Sequence, residues 1–400
     1  MKRLAPLLIL LGMAAPAWGA YAYRATITLA QTTGSSDLTD RTNVVYLSDP
    51  HLMLAANDPG QIQHTCTRSS QTVPCDLIFT SDANGTVLLN WAVESYNGAS
   101  GQGILWAHVK KTTSHTGTTT IYAFWGNPAI TTFLGGAVGS EFDSSIVNMT
   151  PFAGPGFGGC SGTVNYYDFS SYQNTGTTNC SYGPTTGVVG SGDWDAGNNY
   201  NTFPGAAQYS TTTGTWSLWW QPNTGACNTA GAGGYAEAIL LCDNGGCDNG
   251  IVLGCSTGSP SHIAAYVSSG GAGATYIGTG TIVEGSLNHI GITFQNVGTS
   301  TFYVAGTAAG TFTHSIGSPG TTPPLALTRG YGYSGWGAIS GGFDQLYFAN
   351  VIKSADWFAA EYNNDHAPAT FAAVSGIGAC VGTCGAGGSA ATVTMTPIIM

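Results

Sequence analysis

The apolar residues of this chain come in short runs that alternate with polar ones and stop at Gly, Asn, Asp or Pro. The pattern recurs in "YRATITL" (23–29), "TNVVYL" (42–47), "GILWAHVKK" (103–111), "TTTIYAFWGNP" (118–128), "TGTWSLWWQP" (213–222), "EAILLC" (237–242) and "GIVLGC" (250–255). It continues in "HIAAYVS" (262–268), "HIGITFQ" (289–295), "TSTFYVAGTAAGTF" (299–312) and "GGFDQLYFANVI" (341–352). A period of two puts neighbouring side chains on opposite faces, so these runs predict antiparallel sheets buried on one side. With 400 residues the chain is too long for one ordinary domain, and aromatics at 11% supply a core that a disordered Gly/Ser polymer lacks. The predicted fold class is all-β: a small antiparallel domain at 23–134, a glycine-rich join at 133–145, and a sandwich or barrel beyond it.

One stretch breaks the pattern. In "NVIKSADWFAAEYNN" (350–364), Ser354 is a good N-cap, Asp356 sits where the helix dipole favours an anion, and Trp357, Phe358 and Tyr362 share a side. It predicts one short helix packed on a β domain.

Nine Lys+Arg against 20 Asp+Glu give a net charge of −11, and Lys110–Lys111 is the only cation pair after the first residues. A phosphate backbone would be repelled, so nucleic acid is not an expected partner. "MKRLAPLLILLGMAAPAWGAYAY" has Lys2 and Arg3 before a short apolar run and small residues, which predicts a signal peptide over 1–22 and an exported protein, at the cell surface, free outside it or in a periplasm. The tail 376–400 lacks the apolar length and basic stop of an anchor, so no membrane span is expected in the mature chain. It reads as a frayed end, or as a strand that adds to a neighbouring subunit's open edge. Export fits the ten cysteines as disulfides: Cys66 with Cys75, Cys160 with Cys180, Cys380 with Cys384, and Cys227, Cys242, Cys247 and Cys255 among themselves.

"FDQLYFANVIKSADWFAAEYNN" resembles the closing strand and helix of bacterial laminin G-like, concanavalin A-like jelly rolls. "YYDFSSYQNTGT" (166–177) is similar to their opening loop, and "SLNHIGITFQNVGTSTFYVAGTAAGT" (286–311) to their central strand pair. The resemblance implies a jelly roll over 140–375. "YRATITL" and "ILWAHVKKTTSHTGTTTIYAFWGNP" resemble the small β domain known as domain of unknown function 2341. Related jelly rolls hold a structural Ca²⁺, and Asp168 and Asp344 match the recurrent acidic positions; Asp344 alternatively braces the last strand.

No catalytic residue is assigned. The glutamates Glu94, Glu141, Glu237, Glu284 and Glu361 show no paired-carboxylate spacing for glycoside cleavage, and "EFDSSI" ends on Ile146 where an acid is needed. "GYSGW" (332–336) lacks the second glycine of a nucleophile elbow in register, and there is no His-Glu-x-x-His or Walker A loop. "CDNGGCDNG" (242–250) offers Asp243 and Asp248 as calcium ligands, though its dipeptides also favour a disulfide-pinned turn, the preferred reading. In "WSLWW", Trp216, Leu218 and Trp220 share one face and Trp219 takes the other; one face is core, so Trp219 or Trp220 is the exposed candidate for stacking on a sugar. Tyr331, Tyr333 and Trp336 are candidates on a Gly-rich loop. The expected function is a non-catalytic binding or adhesion protein that recognises glycan or a surface protein, with a self-assembling fibre or coat subunit as the alternative.

Overall fold

A computed structural model describes residues 21–30, 34–68, 71–152, 162–180, 184–189, 191–195, 201–227, 235–243, 247–258, 260–327 and 341–384. The first eight strands are β1 (Tyr21–Ala30), β2 (Thr42–Ser48), β3 (Thr65–Arg68), β4 (Gln71–Pro74), β5 (Ile78–Thr80), β6 (Trp91–Asn97), β7 (Ile104–Lys110) and β8 (Thr118–Trp125). A second group follows: β9 (Ile146–Thr150), β10 (Gly162–Tyr166), β11 (Gly176–Cys180), β12 (Pro184–Thr186), β13 (Ser191–Asp195), β14 (Asn201–Phe203), β15 (Thr213–Pro222) and β16 (Tyr235–Cys242). It continues with β17 (Gly250–Ser256), β18 (Ser261–Ser269), β19 (Ala272–Ile282), β20 (Asn288–Gln295), β21 (Thr299–Val304), β22 (Thr307–Thr313), β23 (Leu325–Leu327) and β24 (Gly341–Ala349). The chain then forms α1 (Ala355–His366), the single turn α2 (Pro368–Phe371) and β25 (Ala372–Cys384).

The second group is a jelly-roll-like sandwich of two eight-stranded antiparallel sheets. One runs β10-β11-β14-β23-β16-β17-β18-β19; the other runs β12-β13-β24-β15-β20-β21-β22, with β9 also paired to β24. Their facing sides share a core that includes Trp216, Leu218, Trp220, Ile239, Leu253, Ile290, Phe294 and Phe348. The first group is smaller. Its sheets β25-β1-β8-β5 and β2-β7-β6 enclose a core of Ile27, Val45, Trp91, Leu105 and Trp125.

β25 alters the expected division. The predicted limit of the sandwich at 375 and the start of the tail at 376 both fall inside this strand, which pairs antiparallel with β1 from Leu29↔Ala372 to Tyr21↔Cys384. The first unit is therefore closed by the end of the chain. Residues 376–384 are part of an outer strand of this sheet rather than a frayed tail, and residues 385–400 lie outside the described region.

Between the units lies a third core, with Leu38 and Ala92 from the first unit, Phe142, Met149, Tyr303 and Tyr347 from the second, and Trp357, Phe358 and Phe371 from the helices. Cys66–Cys75, Cys227–Cys255 and Cys242–Cys247 are bonded as expected, and Cys380 is bonded too. The side chains of Cys160, Cys180 and Cys384 lie outside the described ones.

Candidate functional site

The helix caps as its sequence requires, with the Ser354 hydroxyl accepting from Trp357 N at 3.2 Å. Its first-turn Asp356 reaches the other unit and accepts from Ser35 N at 2.6 Å and Ser36 N at 3.2 Å. Asn364 behaves as a strand edge would, accepting from Val44 N at 2.7 Å and donating to Val44 O at 2.9 Å. The helix lies on the outer face of the β15–β20–β21–β24 sheet. Gly291 is needed there because a Cβ would meet Phe358 at 2.3 Å, and Phe358 stacks on Tyr303 with ring centroids 3.8 Å apart.

This placement corrects the tryptophan expectation. Trp220 is 0% exposed in the sandwich core, and Trp219, on the opposite face as the alternation required, is 3% exposed. Its indole donates to Asp365 Oδ2 at 3.3 Å and stacks on Tyr362, so the face left for a ligand is filled by the helix instead. Neither tryptophan is at the surface. Tyr331, Tyr333 and Trp336 lie outside the described residues.

Under the same helix, Ser217, His289 and Glu361 form a constellation that suggests acyl transfer. Ser217 Oγ donates to Glu361 Oε2 at 2.6 Å and lies 2.9 Å from His289 Nε2, which is 3.2 Å from the same carboxylate. A serine triad needs the acid on the imidazole nitrogen opposite the serine. Here both partners crowd Nε2, while Nδ1 accepts from Gly306 N at 3.2 Å, so Nε2 carries the proton and cannot take one from Ser217. All three residues are buried. They bind the helix to the sheet.

The acidic residues expected to hold calcium are already engaged. Asp168 accepts four bonds of 2.8 to 2.9 Å, from Met149 N, Ser170 N, Ser170 Oγ and Asn174 N. Asp344 Oδ2 accepts from Val188 N at 2.7 Å and Val189 N at 3.0 Å, which makes it the brace of the last strand. Asp243 accepts from Asn249 N and Nδ2 at 3.1 and 2.8 Å beside the Cys242–Cys247 bond, and Asp248 lends its backbone carbonyl to Gly271 N. Hard cations need free oxygen lone pairs converging on one point. Among the described residues no three His, Cys, Asp or Glu side chains converge in that way. Chelator added to the purified chain is expected to leave its melting temperature unchanged; a fall of several degrees would reveal a cation at these carboxylates.

The helix-free sheet offers a different site. Ile263, Ala265 and Val267 of β18 point into the sandwich, so His262, Ala264 and Tyr266 point out. A bulge in β16 between Glu237 and Ile239 keeps Glu237 and Leu240 both on that outer face. The register then lays out adjacent rows: Ser256 and His262; Glu237, Gly254, Ala264 and Ile277; and Leu240, Val252, Tyr266 and Thr275. Gly254 and Ala264 lie between larger side chains and are buried, as are Glu237, Leu240 and Val252. Tyr266 lies over Gly273, where a Cβ would meet its hydroxyl at 2.0 Å, and Ile277 is 56% exposed.

Among the described residues, two polar groups on this face have no hydrogen-bond partner. Neither carboxyl oxygen of Glu237 has a hydrogen bond, nor does Nδ1 of half-buried His262. Burial alone pushes Glu237 up to about 8, so it stands as a neutral acid near pH 7. Unsatisfied buried polar groups are rare and perturbed carboxyls cluster at functional sites, so these two mark the face. Sequence reasoning dismissed Glu237 for want of a paired acid; only the fold shows it without a donor.

Residues 195–357 match a family described as the concanavalin A-like lectin/glucanases superfamily. No curated protein matches the chain significantly. Among solved structures, domain 4 of an extracellular arabinanase from Geobacillus stearothermophilus, in complex with arabinotriose, is similar at 13% identity and a TM-score of 0.38. That match covers 54% of this chain and 97% of the domain. The botulinum neurotoxin serotype D binding domain is similar at 9% identity and a TM-score of 0.40 over 57% of this chain. Trypanosoma rangeli sialidase is similar at 11% identity and 0.39 over 64%. The matched parts span 52% of the toxin domain and 42% of the sialidase.

Proposed function

We propose that this chain is an exported, non-catalytic binding protein whose jelly roll recognises carbohydrate through the outer face of the β16–β19 half of its helix-free sheet. The observation that carries the reading is the unequal use of the two sheets. One has its outer face taken up by α1 and the first unit, and the other carries on its outer side a buried carboxyl and an imidazole nitrogen without partners among the described residues, beside a half-buried tyrosine and an exposed isoleucine. A neutral acid donates and accepts, and an imidazole nitrogen accepts, as sugar hydroxyls require, while Tyr266 and Ile277 offer apolar surface to a ring face. The disulfides accord with an oxidising compartment.

A glycan array probed with the folded, purified chain tests this reading. Binding to a restricted set of saccharides is expected; silence across the array from a protein with an intact melting transition would overturn it.

A further inference from the structure

Glu94 of β6 and Gln345 of β24 meet across the boundary between the two units, both buried. Gln345 owes its position to a break in the β15–β24 register between Ser217 and Trp219, where it adopts φ +47. A non-glycine residue in that region marks a place where the surroundings impose the backbone. The turn delivers its amide to the seam. Nε2 donates to Glu94 Oε2 at 2.8 Å, and His108 Nε2 of β7 lies 2.9 Å from the same oxygen.

Oε2 therefore accepts twice and has the role of a carbonyl oxygen. The other two oxygens, Glu94 Oε1 and Gln345 Oε1, are buried without partners. If Glu94 were ionised, both would be acceptors with no donor in reach; a proton on Oε1 would make that oxygen a donor. We propose that Glu94 is a neutral acid held to the Gln345 amide in a two-point pair, and that this pair is a proton-dependent latch between the two β units.

The surrounding charges agree. On β24, Asp344 shares the Gln345 amide at 3.5 Å and Tyr347 adds only a hydroxyl. On β7, burial lowers His108 to about 4, against the opposing pull of Glu141, so it is neutral too. Arg68, the cation beyond it, is engaged with Glu141 at 3.0 Å. Towards the helix, Arg41, Glu361 and Asp365 act on Tyr347, while Asp344 adds to the raising of Asp365. Burial thus drives Glu94 well above its ordinary value with no cation to restore it, and Asp344 rises for the same reason with Glu94 adding to the effect.

A carboxyl raised in the folded state binds a proton that the unfolded chain gives up. Its contribution is complete below the unfolded value near 4.3 and is lost as pH rises towards the folded one. Glu94→Gln copies the neutral acid with an amide that does not titrate. From about pH 6 to about pH 9 the wild-type folding equilibrium, read by urea denaturation, is expected to fall more steeply than that of E94Q, by up to about tenfold per pH unit. Infrared spectra near neutral pH are expected to show more protonated-carboxyl intensity in the wild type than in E94Q, where Glu237 still contributes. Parallel pH profiles, an unchanged intensity, or an E94Q chain that does not fold would each overturn the assignment. The experiment uses no ligand, so it stands apart from the proposed binding face.

Discussion

Trp219→Ala is expected to destabilise the chain by about 3–5 kcal/mol, the cost of emptying a fully enclosed indole site. The side chain sits between β15 and α1, stacked on Tyr362, edge-on to His289 at 5.2 Å and bonded to Asp365. The loss has two parts: the cavity, and a helix deprived of its main contact with the sheet. Tyr362 and His366, stacked on one another at 5.2 Å, would lose the ring they lean on. Urea denaturation measures the effect. A ligand-stacking tryptophan would give the opposite pattern, with stability nearly unchanged and sugar affinity reduced.

Arg41→Ala is expected to cost about 3 kcal/mol, because it removes charge-assisted bonds and leaves buried partners unpaired. Arg41 is 4% exposed. Its guanidinium donates to Asn43 Oδ1 at 2.6 Å and to the helix carbonyl of Ala360 at 2.7 Å, and it lies 4.8 Å from the ring centre of Phe371. Burial disfavours its charge, and Asp365, Tyr347 and Glu361 restore it. Without Arg41, the Asp365 carboxyl, already raised by burial and by Glu361, loses the cation that lowers it. Arg41→Lys should recover only part of the loss, since one ammonium cannot reach Asn43 and Ala360 with a fixed fork. Denaturation of the three chains at one pH checks the order wild type, Lys, Ala.

Strands with alternating runs were legible because burial on one side imposes a period of two; β15, β18, β20 and β24 lie where their residues placed them. β19 was missed because "AGATYIGTGTI" is too glycine-rich to alternate. The fold explains that composition: a Cβ at Gly278 would meet Ala309 O at 2.6 Å and one at Gly280 would meet Val304 at 2.5 Å, where this edge presses on the other sheet. β25 was missed for a related reason, since "AAVSGIGACVGTC" is held by its backbone ladder to β1, and a ladder leaves no signature in side chains. The helix was legible in its cap and aromatics, but its role was not. Glu361, Asn364 and Asp365 look like a solvent face until the sandwich sheet is seen to cover Glu361 and Asp365 and the first unit Asn364.

The candidate face shows the same division. Its alternating strands could be read, yet no local signal marks Glu237 as a carboxyl without a donor, because that depends on a bulge and on strands far apart in sequence. The measurement that tests the binding face most directly is calorimetric titration of an array-positive saccharide into wild type, His262→Ala and Val297→Ala chains of equal melting temperature. Val297 is 72% exposed, in the turn between β20 and β21 of the other sheet, and serves as the control. The binding face predicts affinity at least about tenfold weaker for His262→Ala and unchanged for Val297→Ala. Equal affinity in all three would contradict it.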